Sequence, residues 1–158
     1  MMLTNGKTIE FVLEGAVAST QPDYTASWID HDAAGQTATP DAGDGTANST
    51  TPVTWVGTPA AGVQRQVAAL SLANQDTQSG VVVAQRNNGS STRRLGRWEL
   101  LPLETLHYQQ GLGFYVTDYT GSPQFDDRDG GVASLLGFAH VGGSGGVAAN
   151  YIAGQVNG

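Results

Sequence analysis

Apolar and polar residues alternate along much of the chain. In residues 7–13 the apolar side chains Ile9, Phe11 and Leu13 alternate with polar ones, and residues 23–30 repeat this pattern around Trp28. Successive side chains of a β-strand point to opposite faces, so a period of two predicts strands with one buried face. Both segments are therefore predicted to be strands.

The middle of the chain continues in the same way. Further strands are predicted at residues 53–56, 64–74, 80–86, 92–100, 106–109 and 112–118. Asn87, Asn88 and Gly89 separate two of them, and an Asn-Gly pair readily supplies the positive φ angles of a tight hairpin turn. Short strands at this spacing, separated by turn residues, predict an all-β fold of the β-sandwich or jelly-roll type.

Two segments depart from this pattern. Residues 33–52 hold no large apolar residue, which predicts a long polar loop, or a loop with one Thr-rich edge strand. Residues 130–158 are rich in glycine but keep scattered apolar residues. We therefore predict a β-sandwich domain over residues 1–129. Residues 130–158 are predicted to be a Gly-rich arm that orders against a neighbouring subunit or a capsid, with a flexible tail as the alternative.

Composition narrows the classes of function. Only 13% of residues are charged, and the net charge is −7, which disfavours contact with nucleic acid or an anionic membrane. The chain has no cysteine, which removes disulfides, thiol catalysis and cysteine–metal sites. No apolar run approaches the roughly 20 residues that span a bilayer. Glu10 and Glu14 interrupt the segment that would form a signal peptide, so none is expected.

Motifs that suggest catalysis or metal binding are weak. Residues 142–146 match Gly-x-Ser-x-Gly, but no Asp, Glu or His follows Ser144 to complete a triad. Asp30, His31 and Asp32 are adjacent, and neighbouring residues of a strand point to opposite faces, so one ion cannot easily collect all three. A polar loop is the favoured interpretation, and no catalytic residue, metal site or cofactor is predicted.

Two charged clusters remain. Asp126, Asp127 and Asp129 resemble half of a calcium loop, but no Glu occurs after residue 104. A solvated turn is favoured, with a looser calcium site as the alternative. The only basic cluster flanks the Asn-Gly turn, with Arg93 and Arg97 predicted on one strand face and Arg94 on the other. Contact with protein, or a role in solubility, is preferred to nucleic-acid binding.

Residues 7–121 resemble a recurrent type of small structural protein from the virions of tailed bacteriophages. After the N-terminal strand and a Pro-Ala-Ala-Gly-Val-Gln-Arg stretch at residues 59–65, the shared elements follow in order. They are Asn-x-Asp-Thr (residues 74–77), a Val-rich strand, the Asn-Gly turn, Leu-Pro-x-Glu-x-Leu (residues 101–106) and Gly-Phe-Tyr-Val (residues 113–116). The resemblance implies a β-sandwich or jelly-roll domain, often trimeric, that is attached to a capsid, neck or tail and has no catalytic residues.

The expected function is therefore a non-enzymatic capsid decoration, or cement, protein. It would form a homotrimer, bind the major capsid protein or another virion protein, and assemble in the bacterial cytoplasm. Contacts are predicted at residues 41–51 and at eight apolar side chains: Ile9, Phe11, Leu13, Leu135, Leu136, Phe138, Tyr151 and Ile152. The alternatives are a neck, tail-fibre or receptor-binding subunit that recognises host glycan through exposed Trp or Tyr and, as the least favoured, an enzyme such as a cell-wall hydrolase.

Overall fold

The computed structural model describes residues 1–124, and this part of the chain contains strands and no helix. The predicted all-β fold class is confirmed. The strands are β1 (Met2–Leu3), β2 (Thr8–Leu13), β3 (Asp23–His31), β4 (Ala38–Thr46), β5 (Val53–Val56), β6 (Gln64–Ala73), β7 (Gly80–Asn87), β8 (Thr92–Leu100), β9 (Thr105–Gln109), β10 (Gly113–Thr117) and β11 (Pro123–Gln124).

The strands form two sheets in which every pairing is antiparallel. The large sheet has the order β11–β10–β9–β6–β3–β4, and β1 also pairs with β6. The small sheet has the order β5–β2–β7–β8. The predicted Asn-Gly turn joins β7 to β8, where the Asn88 side chain accepts hydrogen bonds from the backbone amides of Ser90 and Ser91.

One buried cluster takes its side chains from both sheets. Phe11 of the small sheet meets Tyr24 of the large sheet edge-on, with ring centroids 5.3 Å apart, and Trp55 at 5.2 Å. A second aromatic contact between the sheets pairs Trp98 with Phe114, at 4.7 Å. Burial of these rings contributes several kcal/mol to the stability of the fold and holds the two sheets together.

This core corrects part of the predicted contact surface. Ile9, Phe11 and Leu13 were expected to meet a partner, but their exposed fractions are 0%, 1% and 4%. The apolar face of β2 packs on the other sheet of its own chain, which leaves these side chains inaccessible to another subunit. The other five predicted contacts, from Leu135 to Ile152, lie outside the described residues.

Residues 33–52 contain a regular strand. All nine residues of β4 pair with β3, although most β4 side chains are exposed. The strand lacks large apolar residues because β3 supplies them: the Trp28 and Tyr24 rings extend over Gly43 and Gly45. A Cβ built on Gly45 would lie 2.8 Å from the Tyr24 hydroxyl, so a larger residue would displace that ring. Of the two alternatives for this segment, the structure contains the edge strand.

Candidate functional site

An open groove of about 800 Å³ runs across the outer face of the large sheet, on the side opposite the core. One row of directly paired residues crosses five strands of this face, and its members are Asp44, Thr25, Ser71, His107 and Tyr115. The next row is made mostly of small residues, namely Ala42, Ser27, Ala69, Gln109 and Gly113. These small residues leave a depression in the face, and the larger side chains of the first row stand beside it.

Two aromatic rings form one end of the groove. The His107 and Tyr115 rings are stacked with their centroids 5.1 Å apart and an interplanar angle of 22°. His107 Nε2 lies 3.0 Å from the hydroxyl of Thr117, which is itself buried. Desolvation by burial lowers the pKa of the His107 imidazole below its ordinary value, so the ring is neutral at pH 7. The pair is therefore an uncharged, stacked aromatic surface.

Polar side chains line the rest of the groove, from the aromatic pair to Asp44 at the other end. The hydroxyls of Thr25 and Ser71 lie 2.7 Å apart and bond to each other. Within residues 1–124, the Asp44 carboxylate, the Gln109 amide and the Tyr115 hydroxyl have no hydrogen-bond partner in the protein, although all three residues line the groove. These groups are available to water or to a ligand.

A smaller cavity of about 290 Å³ lies at one end of the two sheets and has Asp76 in its wall. This carboxylate accepts hydrogen bonds from the Ser19 hydroxyl and amide and from the amides of Ala18 and Thr77, at 2.6 to 3.0 Å. These bonds, with that from the Ser19 hydroxyl the strongest, lower the pKa of Asp76 to about 2. With both oxygens engaged, Asp76 anchors the loop between β2 and β3 and is poorly suited to proton transfer.

The neighbouring Asn74 joins the β6–β7 turn, to which it belongs, to the β8–β9 turn. Its side-chain amide donates to the carbonyl oxygens of Gln78, Leu100 and Leu101 at 3.0 to 3.1 Å. Within the β8–β9 turn, the buried Glu104 side chain accepts a hydrogen bond from the amide of Leu101. The Asn-x-Asp-Thr and Leu-Pro-x-Glu-x-Leu stretches are thus brought together, and their polar residues satisfy buried backbone groups.

The three residues of the Asp30–Asp32 stretch have different partners. Asp30 forms a salt bridge of 2.7 Å with Arg65, and His31 Nε2 lies 3.0 Å from the Gln66 side chain. Asp32 accepts hydrogen bonds from Gln36 and Thr37 in the turn that leads to β4. In the described part of the chain, no group of three or more His, Cys, Asp or Glu side chains is placed to hold a metal ion.

The basic hairpin differs from its prediction because of a β-bulge. The register shifts in β8 and leaves Leu95 without a pairing partner. Arg94 and Arg97 pair with Gln85 and Val83, which are two residues apart on β7, so both arginines lie on the outer face. Arg93 pairs with Arg86 and lies on the opposite face. The prediction that Arg93 and Arg97 share a face was wrong.

On this outer face Arg97 binds Glu14 at 2.8 Å, and both side chains are about 40% exposed. The hydrogen bond from Arg97 is the main cause of the lowered pKa of Glu14, and the charge of Arg94 also contributes. The contact ties β8 to the end of β2. Because it is exposed, it contributes little to stability.

Comparisons with protein-family models, with curated proteins and with solved structures found no match to this chain. Between residues 1 and 124 there is no helix long and apolar enough to cross a membrane. The Asp126–Asp129 cluster and the Gly-x-Ser-x-Gly match at residues 142–146 lie outside the described residues.

The groove was missed by sequence reasoning. Its residues come from five strands between Thr25 and Tyr115 and are neighbours only through the register of the sheet. The one available signal was polar and small residues alternating with buried ones along β3, β6 and β9. That pattern indicates a solvent-facing side without showing that it is concave.

Proposed function

We propose that this chain is a non-enzymatic structural protein of a tailed-phage virion, a capsid decoration protein that acts as a homotrimer and binds the major capsid protein. The resemblance of residues 7–121 to such proteins supports the assignment. Its localisation would be the virion, after assembly in the bacterial cytoplasm. Such a protein stabilises the head by mass action, because it binds only the assembled shell.

The observation that carries the proposal of self-association is the opposite charge of two edge strands. In the described part of the chain, β4 is the last strand of the large sheet and β8 the last of the small sheet. Asp41 and Asp44 are exposed on β4, whereas Arg93, Arg94 and Arg97 are exposed on β8. The acidic strand of one copy is therefore complementary to the basic strand of the next.

This contact would be head-to-tail, because it joins two different surfaces. Head-to-tail contacts close into rings when the rotation between copies permits, and a ring of three would be the expected homotrimer. Extended backbone pairing is disfavoured at both edges. Pro40 provides no amide donor in β4, and the bulge at Leu95 interrupts β8. We therefore expect side-chain charges to dominate the contact.

Charge reversal tests this interface. Asp41→Lys together with Asp44→Lys should shift the purified protein to monomer in sedimentation velocity, as should Arg93→Glu together with Arg94→Glu. All four changes in one chain restore complementarity and should restore the oligomer. Lys7→Glu is the control, because Lys7 precedes β2 and belongs to neither edge strand. A monomeric wild-type protein, or no rescue by the fourfold variant, contradicts the interface.

The assignment to the virion is tested by quantitative mass spectrometry of purified particles. A copy number in fixed proportion to the major capsid protein supports decoration, whereas a much lower number, typical of a neck or tail component, contradicts it. Absence from the particles contradicts any structural role in the virion. Loss of the protein should also lower the temperature at which heads release DNA.

The alternative is a neck, tail-fibre or receptor-binding subunit that recognises host glycan. The groove on the outer face of the large sheet favours it, because a stacked aromatic pair lies there beside hydroxyl, amide and carboxylate groups. Low copy number together with glycan binding would support this alternative over decoration.

A further inference from the structure

The groove lies on the side opposite the core and shares only one charged residue, Asp44, with the acidic edge strand β4. Its floor lies on the outward face of the sheet, and the row from Asp44 to Tyr115 crosses five strands. At a spacing of about 4.8 Å between strands, this row is about 19 Å long. A ligand that fills the groove is therefore an extended molecule that lies lengthwise along this row.

The groove offers both donors and acceptors. The Asp44 carboxylate accepts hydrogen bonds, the Gln109 amide donates and accepts, and the Tyr115 hydroxyl does both. The paired hydroxyls of Thr25 and Ser71 lie between the two ends and can each bind one group more. This mixture matches a ligand whose own groups are mainly hydroxyls, because a hydroxyl needs donors and acceptors in similar number.

The aromatic end adds an apolar surface. Stacking on His107 holds the Tyr115 ring in place, so that little side-chain entropy is lost when a ligand packs on it. The C–H groups on the face of a sugar ring are suited to such a surface, whereas its hydroxyls project sideways to polar groups. An aromatic ring beside a row of polar side chains is therefore complementary to carbohydrate.

Charge decides between neutral and anionic ligands. The groove is lined by the acidic Asp44 and by no Lys or Arg, and the His107 imidazole is neutral at pH 7. A phosphate, sulfate or carboxylate ligand would find no cation to pair with and would be repelled by Asp44. We propose that the outer groove of the large sheet binds a neutral oligosaccharide, with Tyr115 as the stacking residue and Asp44 and Gln109 as hydrogen-bonding residues.

The experiment is an array of immobilised neutral oligosaccharides containing glucose, galactose or N-acetylglucosamine, with a matched set that carries sialic or uronic acids. The full-length chain should bind members of the neutral set, and NMR titration with the best of them should shift the resonances of Tyr115 and Gln109. Absence of binding to every neutral member at millimolar concentration overturns the proposal, as does preference for the acidic set.

Variants locate the site. Tyr115→Ala should weaken binding at least tenfold, and Gln109→Ala and Asp44→Asn several-fold each. Tyr119→Ala is the matched control, because this tyrosine is 79% exposed and does not line the groove. Gln109 is exposed, so Gln109→Ala remains informative if Tyr115→Ala fails to fold. Equal losses for Tyr115→Ala and Tyr119→Ala contradict the site.

This inference goes beyond the structural role proposed above, and the two are tested separately. The array uses purified protein, so its result does not depend on whether the chain is found in virions. A chain present in virions at high copy number that binds no oligosaccharide retains its structural role and loses the site.

Discussion

The substitution Phe11→Ala tests whether the apolar face of β2 stabilises the core of its own chain or a contact between subunits. Phe11→Ala removes a ring that is 1% exposed and lies within 5.3 Å, centroid to centroid, of the Tyr24 and Trp55 rings. A buried Phe→Ala change costs about 3–5 kcal/mol. We expect a loss of about 4 kcal/mol in the free energy of unfolding, because the two large neighbouring rings cannot close the cavity without leaving their own contacts.

Urea denaturation followed by tryptophan fluorescence measures this loss. With an m value of about 2 kcal/mol per molar, the midpoint should fall by roughly 2 M while the slope stays unchanged. Val12→Ala is the control on the same strand, because Val12 lies on the opposite, partly exposed face, and it should cost under about 1 kcal/mol. The difference between the variants should not change with protein concentration.

The reasoning is refuted if Phe11→Ala loses no more stability than Val12→Ala. A loss that appears only at concentrations where the protein is oligomeric would instead restore Phe11 as a contact between subunits.

Two further predictions concern close packing and acid stability. Gly96→Ala should cost about 1–3 kcal/mol and change the near-ultraviolet circular dichroism, because its Cβ would overlap the Trp98 ring. Gly80→Ala, with no heavy atom near its new methyl group, should change neither, and equal effects would contradict the packing. The pKa of Asp76 is lowered from 3.8 to about 2, so its contribution to stability is complete above pH 4 and disappears as the pH falls towards 2. Asp76→Asn should flatten the pH dependence of unfolding in that range, and an unchanged profile would show that the carboxylate is not held by the loop.

The strands that alternation predicts most clearly are those that bury one face. β2 and β6 have this pattern, and the Asn-Gly turn marked the β7–β8 hairpin. β4 lacked the signal because the rings that cover its glycines belong to β3. A strand stabilised by its neighbour's side chains cannot be recognised from its own residues, so the pattern of residues 33–52 is compatible with both a loop and an edge strand.

The errors in side-chain placement have related causes. Alternation predicted that Ile9, Phe11 and Leu13 share an apolar face, but the pattern does not show whether the surface that covers it belongs to the same chain. The prediction assigned Arg93 and Arg94 to the wrong faces, because one unpaired residue, Leu95, reverses the alternation along β8. A glycine inside a strand often indicates a bulge or a close approach of other atoms, so Gly96 was the sequence signal for this irregularity.

The candidate site could not be predicted from the sequence, for a further reason. Asp44 and Tyr115 are 71 positions apart and come into one row only when three intervening strands adopt their registers. Pairing register over such distances depends on the whole sheet. The local pattern predicts which residues face outward but not which of them become neighbours.

The hydrogen bonds around Asn74 and Asp76 act as a non-covalent clasp at one end of the molecule. They join the β2–β3 loop, the β6–β7 turn and the β8–β9 turn, which lie far apart in the sequence. A chain without cysteine cannot fasten such loops with disulfides. The clasp is insensitive to reductants, and strong acid, which removes the charge of Asp76, is the condition expected to open it first.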